Sequence, residues 1–254
     1  MNKVLIAASF IAVATGAFWL LRNQDTSTPS PTQIPVQTSN PTLKSTQSAE
    51  FSTPKKSAHY ESNTPEHGSF LAGVPINVVI DFNFDLAKGS DIQITMGGKE
   101  YRMGETAIDP NKLAMRKKMD PAAPDGLYTS FYKACWADGS CHDGSFQFKI
   151  DRSSANNFGD MTGKKEAAIN LQNFAFSPAK VKVSKGTKVT WINQDDVVHT
   201  VNTDTHPAHT YYLNQNSRDL SKGGTYSVTF ADPGIYLYHC TPHADSMHGQ
   251  ILVE

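Results

Sequence analysis

Residues 236–249 read YLYHCTPHADSMHG, and this stretch decides how the C-terminal part of the chain folds. It places a cysteine, a histidine and a methionine at Cys240, His243 and Met247, in the spacing C-x2-H-x3-M. An alternating aromatic strand precedes the cysteine, and residues 250–253 read as a last short strand. The three side chains therefore belong to one tight loop between two strands, where they can converge on a point.

A thiolate, an imidazole and a weak axial thioether form the soft donor set that selects copper and builds an electron-transfer site. Such a site needs a second histidine, which the loop does not supply. His199 is the best candidate. Residues 189–201 read as a strand, an Asp-rich turn and a second strand that begins at this histidine.

Three phrases around these donors resemble single-domain cupredoxins of the plastocyanin and amicyanin kind. They are NFAFSP at 173–178, GTKVTW at 186–191 and YHCTPH at 238–243. The resemblance covers residues 166–254 and implies a Greek-key β-sandwich that holds one copper ion.

The resemblance also implies the ligands of a type 1 (blue) copper. His199, Cys240 and His243 would be equatorial, and Met247 would be axial. Three residues separate His243 from Met247 here, one more than in amicyanin-like loops and one fewer than in plastocyanin-like loops. This departure leaves the axial bond length and the redox potential open.

Strand-like segments separated by turn signals begin at about residue 58, and they predict a small β-sandwich. The clearest segments are residues 74–84, 92–96, 126–134 and 144–150. Residues 58–152 resemble the CopC family of periplasmic copper-binding proteins, through AH at 58–59 and SNTPEHG at 62–68. The chain is therefore expected to be all-β, with an immunoglobulin-like CopC-like sandwich before the cupredoxin.

The CopC family binds cupric ion with an N-terminal histidine and an Asp-x-His pair. Here Asp138 matches the aspartate, Ser140 stands where the histidine belongs, and His142 follows two residues later. One interpretation is a second copper site made by His59, Asp138 and His142. The other is a sandwich that has lost or changed its metal site, and the displaced ligands favour it.

The chain has three cysteines. Cys135 and Cys141 flank a tight turn, and outside the cytoplasm a disulfide between them is the default expectation. The alternative is a thiol metal site that includes His142. Cys240 is then the odd thiol, and a metal accounts for it.

Residues 4–21 form an apolar run just long enough to span a bilayer. Residues 1–22 are therefore predicted to be a signal anchor, with a cleaved signal peptide as the alternative. Residues 23–57 are mostly Ser, Thr, Pro, Gln and Asn, which predicts a disordered linker. A second polar linker is expected at 153–165. The prediction is a periplasmic or other extracytoplasmic protein, tethered to the membrane by residues 4–21.

Charge and motifs exclude several classes of function. The net charge of −1 comes from 23 basic and 24 acidic residues, and no basic face recruits nucleic acid. No G-x-S-x-G elbow, phosphate-binding loop or H-E-x-x-H helix occurs in the sequence, so nothing favours a hydrolase or a nucleotide enzyme.

The first hypothesis is a non-enzymatic electron carrier that acts with redox partner proteins. The second is copper binding, delivery or resistance, with copper-transfer partners. The third is part of a copper oxidoreductase: a histidine just before the copper cysteine supplies a catalytic copper in copper nitrite reductases, and His239 has that position. Single-domain amicyanins carry a histidine there too, which favours the carrier.

His206 and His209 lie in a polar loop and are expected to be solvated.

Overall fold

Eighteen strands form nearly all the regular structure in residues 51–254, the part of the chain that the computed structural model describes. This architecture confirms the predicted all-β class. Among these residues, no helix has the length and apolar character needed to cross a bilayer. The predicted membrane segment at 4–21 and residues 23–50 of the predicted linker lie outside the described residues.

The first sandwich contains nine strands: β1 (Tyr60–Thr64), β2 (Phe70–Leu71), β3 (Asn77–Phe82), β4 (Asp91–Met96), β5 (Lys99–Glu100), β6 (Arg102–Ile108), β7 (Ala114–Met119), β8 (Gly126–Cys135) and β9 (Cys141–Ile150). One sheet has the order β1-β3-β7-β6 and the other β2-β9-β8-β4-β5. Burial alternates along β9, where Phe146, Phe148 and Ile150 enter the core. This is the period of two that the alternating sequence predicts.

The ordered part of the first sandwich begins before residue 58. The backbones of Lys55 and Ser145 exchange two hydrogen bonds, of 2.9 and 2.8 Å. The ring of Phe51 packs edge-on against Phe70, with 5.5 Å between ring centroids. Residues 51–57, assigned to the disordered linker from their composition, are therefore attached to the sandwich through Lys55 on β9 and Phe51 on Phe70. Their composition did not reveal this, because backbone pairing does not depend on side-chain type.

A 3-10 helix, Arg152–Asn157, leads into the second sandwich. Its strands are β10 (Gly159–Asp160), β11 (Glu166–Gln172), β12 (Ala175–Ser177), β13 (Lys180–Val183), β14 (Lys188–Asn193), β15 (Asn202–Thr203), β16 (Thr225–Thr229), β17 (Gly234–His239) and β18 (His248–Val253), with a 3-10 turn at Thr241–His243. The sheet orders are β10-β13-β18-β17-β15 and β12-β11-β14-β16. Because β10 pairs in parallel with β13, part of the predicted linker at 153–165 belongs to a sheet.

The two sandwiches meet at a shared apolar junction. The Ile235 N–H donates a hydrogen bond to the Val74 carbonyl at 2.8 Å. Tyr211 is fully buried at this junction; its hydroxyl donates to the Ile235 carbonyl at 2.5 Å and accepts from the Ile76 N–H at 3.1 Å. A Cβ at Gly234 would lie 2.8 Å from Ile76 Cγ2, so only glycine allows this approach.

Candidate metal centre

The cysteine loop begins at the end of β17, an interior strand of its sheet, all of whose residues are buried. Cys240 follows β17 directly. Its N–H donates to the Met247 carbonyl at 3.0 Å, and the Met247 N–H donates to the His243 carbonyl at 2.9 Å. These bonds close the loop on itself. Cys240 is 0% exposed and Met247 is 1% exposed, so both sulfur atoms lie inside the protein.

His199 approaches the same point from a distant part of the chain. It is fully buried, and its Nδ1 lies 3.5 Å from Cys240 Sγ. The Nδ1 of His243 lies 3.4 Å from the same sulfur. Metal–ligand bonds of about 2.0–2.3 Å in a trigonal arrangement would place such donors about 3.5–3.8 Å apart. The three predicted equatorial side chains are therefore assembled, and their spacing fits one metal ion.

Asp195 orients the His199 ring. Its Oδ2 lies 2.9 Å from His199 Nε2, so the ring donates this hydrogen and leaves Nδ1 free to face Cys240. The carboxylate also accepts the N–H groups of Asn173 and Phe174, at 2.8 and 3.0 Å. The hydrogen bond from the Phe174 N–H lowers the pKa of Asp195 most, the hydrogen bond from the His199 ring lowers it next, and together they bring it to about 2. A negative charge therefore stands behind the imidazole.

Phe174 lies between the histidines and solvent. Its ring contacts His243 edge-on at 5.0 Å and His199 at 5.8 Å, measured between centroids. Phe174 is 52% exposed, and His243 is half-buried. The imidazole of His243 thus reaches the surface beside an exposed aromatic ring.

The sulfur of Cys240 receives a hydrogen bond from the Thr200 N–H at 3.3 Å. Burial raises the pKa of the Cys240 thiol, and this hydrogen bond opposes the rise. A buried thiol of this kind becomes a thiolate when it binds a metal, which releases its proton. Cys240 is the one cysteine without a disulfide. Cys135 and Cys141 are bonded across β8 and β9, as predicted.

The ligand atoms of His59, Asp138 and His142 do not all lie within 4.8 Å of one another. The ring of Trp136 contacts both histidines, at 5.4 Å from His59 and 5.2 Å from His142. The Asp138 carboxylate accepts hydrogen bonds from the Ser140 N–H and hydroxyl, at 2.9 and 2.7 Å. Asp138 therefore caps its own turn, and the one indole of Trp136 packs against the imidazoles of both His59 and His142.

A different histidine cluster does assemble. His206, His209 and His239 bring one ring nitrogen each within 4.8 Å of the others. From their polar loop, His206 and His209 were expected to be solvated, and His206 is exposed. By contrast, His209 is half-buried, and burial lowers its pKa to about 4. The H-P-A-H spacing was visible in the sequence, but its meeting with His239 depends on the tertiary fold.

Family comparisons agree with this division of the chain. Residues 163–254 match the family described as copper binding proteins, plastocyanin/azurin family. Residues 60–151 match the CopC domain family.

Individual relatives each match about a third to two fifths of the chain. Halocyanin of Natronomonas pharaonis is 35% identical over 42% of this chain and 70% of its own length. Amicyanin-alpha of Methylorubrum extorquens is 33% identical over 34% of this chain and 70% of its own. A solved structure of an amicyanin variant in the Cu(I) form is 27% identical over 36% of this chain and 85% of its own, with a TM-score of 0.31.

Proposed function

Because the chain belongs to the plastocyanin/azurin family of copper-binding proteins, we propose that it carries single electrons between redox partner proteins. The proposed type 1 copper ligands are His199, Cys240, His243 and Met247. The observation that carries this assignment is the convergence of two imidazole Nδ1 atoms on one buried cysteine sulfur, at 3.5 and 3.4 Å. In these Greek-key sandwiches, bound copper supplies a one-electron couple.

The protein's own part is to hold the donors still and keep water out. His199, Cys240 and Met247 are buried, and the Thr200 N–H constrains the sulfur. Asp195 constrains the His199 ring from the opposite side. A donor set that is already fixed moves little when an electron arrives, which suits a carrier better than a site that must release its metal.

The surface at His243 is the proposed contact for redox partners. Phe174 packs against this imidazole and presents half of its own surface to solvent. An apolar patch with a ligand ring at its edge gives a partner close approach without a strong charge requirement. We therefore place electron exchange at this end of the second sandwich and assign no enzymatic step to it.

An extracytoplasmic location is part of the proposal. CopC and cupredoxin domains typically act outside the cytoplasm, and the Cys135–Cys141 disulfide suits an oxidising compartment. The immunoglobulin-like class of the first sandwich, the anchor or signal at 1–22 and the tether at 23–50 remain predictions from sequence.

The test is an absorption and electron paramagnetic resonance spectrum of the copper-loaded full chain. A strong sulfur-to-copper charge-transfer band is expected, and Cys240→Ser should remove it. The Cys135→Ser/Cys141→Ser double variant is the matched control, because it changes two sulfurs away from the site. An unchanged band in Cys240→Ser contradicts the assignment.

The CopC domain favours a second candidate function, copper binding and delivery. In that case, His59, Asp138 and His142 would rearrange to bind a second copper, and copper-transfer partners would replace redox partners. Copper loss to a chelator and electron exchange with a small redox protein separate the candidates. Slow loss with fast exchange supports the carrier, whereas rapid loss with slow exchange supports delivery.

A further inference from the structure

The histidine cluster lies beside the copper centre but shares none of its proposed ligands. The Nε2 atoms of His209 and His239 face each other at 3.2 Å. The His206 ring contacts both, with centroid distances of 5.8 Å to His209 and 5.5 Å to His239. His239 is buried, His209 is half-buried and His206 is exposed. The three rings therefore form a short path from the core to the surface.

The distance between the facing nitrogens fits a shared metal ion. Metal–imidazole bonds of about 2.0–2.1 Å at tetrahedral angles put two ligand nitrogens about 3.3–3.4 Å apart. The separation of 3.2 Å between His209 and His239 is close to this value. His206 is the movable member, because its exposed ring can turn towards the other two.

Asp204 prepares His239 as a ligand. Its Oδ1 lies 2.8 Å from His239 Nδ1, so Nδ1 carries the hydrogen and donates it to the carboxylate. The lone pair of His239 is therefore on Nε2, the atom that faces His209. A carboxylate behind the imidazole is the arrangement that fixes the tautomer and orientation of metal-binding histidines.

The first sandwich holds the loop that carries His206 and His209. The Thr210 hydroxyl donates to Asp81 at 2.7 Å, and Arg116 donates to the Thr210 carbonyl at 2.8 Å. The amide of Asn77 donates to the Tyr211 carbonyl at 3.1 Å. The loop is thus braced by three side chains from the other sandwich, immediately after His209.

We propose that His206, His209 and His239 form a second metal site for a borderline divalent ion of the Zn2+ and Cu2+ type. Three imidazoles suit these ions, and three protein ligands leave a fourth position for water or an added ligand. The exposed His206 provides the entry. The first sandwich positions the site by bracing its loop, and this role does not require copper in that sandwich.

A metal-free role for the cluster makes a different prediction. His209 Nε2 also lies 3.1 Å from the Thr241 hydroxyl, which accepts from the Asn202 amide at 2.7 Å. These contacts permit a chain of hydrogen bonds that simply ties the loop to the cysteine turn. Such a chain binds no additional ion, so the two roles differ in metal stoichiometry.

The experiment titrates Zn2+ into the full chain after its copper centre has been filled, and measures affinity by competition with a chromophoric chelator. One equivalent should bind. His206→Gln and His209→Gln should abolish stoichiometric binding, and Asp204→Asn should weaken it about 10–100-fold. Retention of the sulfur-to-copper band shows that each variant is folded. His248→Gln is the matched control, since this exposed histidine is outside the cluster.

Two further variants test whether the Zn2+ binds at His59 and His142 or at the proposed copper site instead. Zn2+ binding should survive in His59→Gln/His142→Gln and also in Cys240→Ser, which separates this proposal from the copper assignment. Co2+ should give the visible bands of a four-coordinate site, and His206→Gln should remove them. Three results overturn the proposal. The first is that no additional Zn2+ binds, and the second is that the His206 and His209 variants bind Zn2+ as tightly as the unmodified chain. The third is binding that disappears only when His59 and His142 are replaced.

Discussion

The hydroxyl of Thr210 in the second sandwich donates a hydrogen bond to the carboxylate of Asp81 in the first, at 2.7 Å. Asp81 is 4% exposed and also accepts from the Ser62 hydroxyl at 2.8 Å. Burial raises the pKa of Asp81, and the two hydroxyl hydrogen bonds only partly oppose the rise. The junction between the sandwiches therefore contains a carboxyl group whose charged form is disfavoured by folding.

This carboxyl group predicts a pH dependence of stability. Because its pKa is higher in the folded state, Asp81 contributes stability that is fully present below the ordinary carboxyl range and is lost as the pH rises through the raised pKa. Asp81→Asn should remove this loss and increase the free energy of unfolding at pH 7, measured by urea denaturation across pH. Thr210→Val, the contrasting variant, should destabilise the protein by about 1–3 kcal/mol. A lower stability of Asp81→Asn at pH 7 would contradict the argument.

Asp195→Asn tests the support of His199. The variant keeps an oxygen near the ring but removes the charge and disturbs the acceptor of two backbone N–H groups. Copper affinity should fall about 10–100-fold, as measured by competition with a chelator. Asp196→Asn is the matched control, because Asp196 is exposed and pairs with Lys222 instead. Equal affinities in the two variants would remove Asp195 from the proposed site.

Met247→Leu tests the axial ligand. The variant should keep the blue absorption, because the thiolate and two imidazoles remain, and its reduction potential should rise. Voltammetry of the copper-loaded chain measures the change. An unchanged or lower potential would argue that Met247 is a core residue alone.

The Cys135–Cys141 bond is expected to stabilise the first sandwich without affecting copper. Thiol counting under denaturing, metal-free conditions should find one free cysteine, Cys240. Replacing both bonded cysteines with serine should lower the free energy of unfolding by about 2–3 kcal/mol for so short a loop. The copper spectrum should stay the same, and a changed spectrum would show that the two parts are coupled.

Gly234→Ala tests the close packing of the two sandwiches. The added Cβ would lie 2.8 Å from both Ile76 Cγ2 and the Val74 carbonyl oxygen. The expected destabilisation is about 1–3 kcal/mol from overpacking, in addition to the backbone cost of a positive φ. Gly163→Ala is the comparison without a steric contact, because this glycine also has a positive φ, +75°, and its Cβ would meet nothing within 4 Å. Equal losses in thermal denaturation would show that the contact is unimportant.

Local sequence was sufficient for the cysteine loop and for the disulfide. Cys240, His243 and Met247 lie within one short turn, so their spacing alone brings them together. Period-two alternation likewise predicted β9, because burial along a strand follows directly from side-chain order. His199 is 41 residues from Cys240, so no local spacing links them; it was chosen because a strand begins at this histidine, and the family resemblance implied the same residue.

Only the tertiary structure decided which other side chains meet. His209 and His239 are 30 residues apart, and Thr210 and Asp81 are 129 apart. Their contacts depend on how β17, the loop that carries His206 and His209, and the first sandwich pack together. No local repeat of apolar and polar residues encodes that packing. The same reason explains His59 and His142, which the resemblance to the CopC family suggested as ligands but which the fold packs against Trp136. Local order thus determined the strands and the cysteine loop, whereas packing between distant segments decided which histidines can share a metal ion.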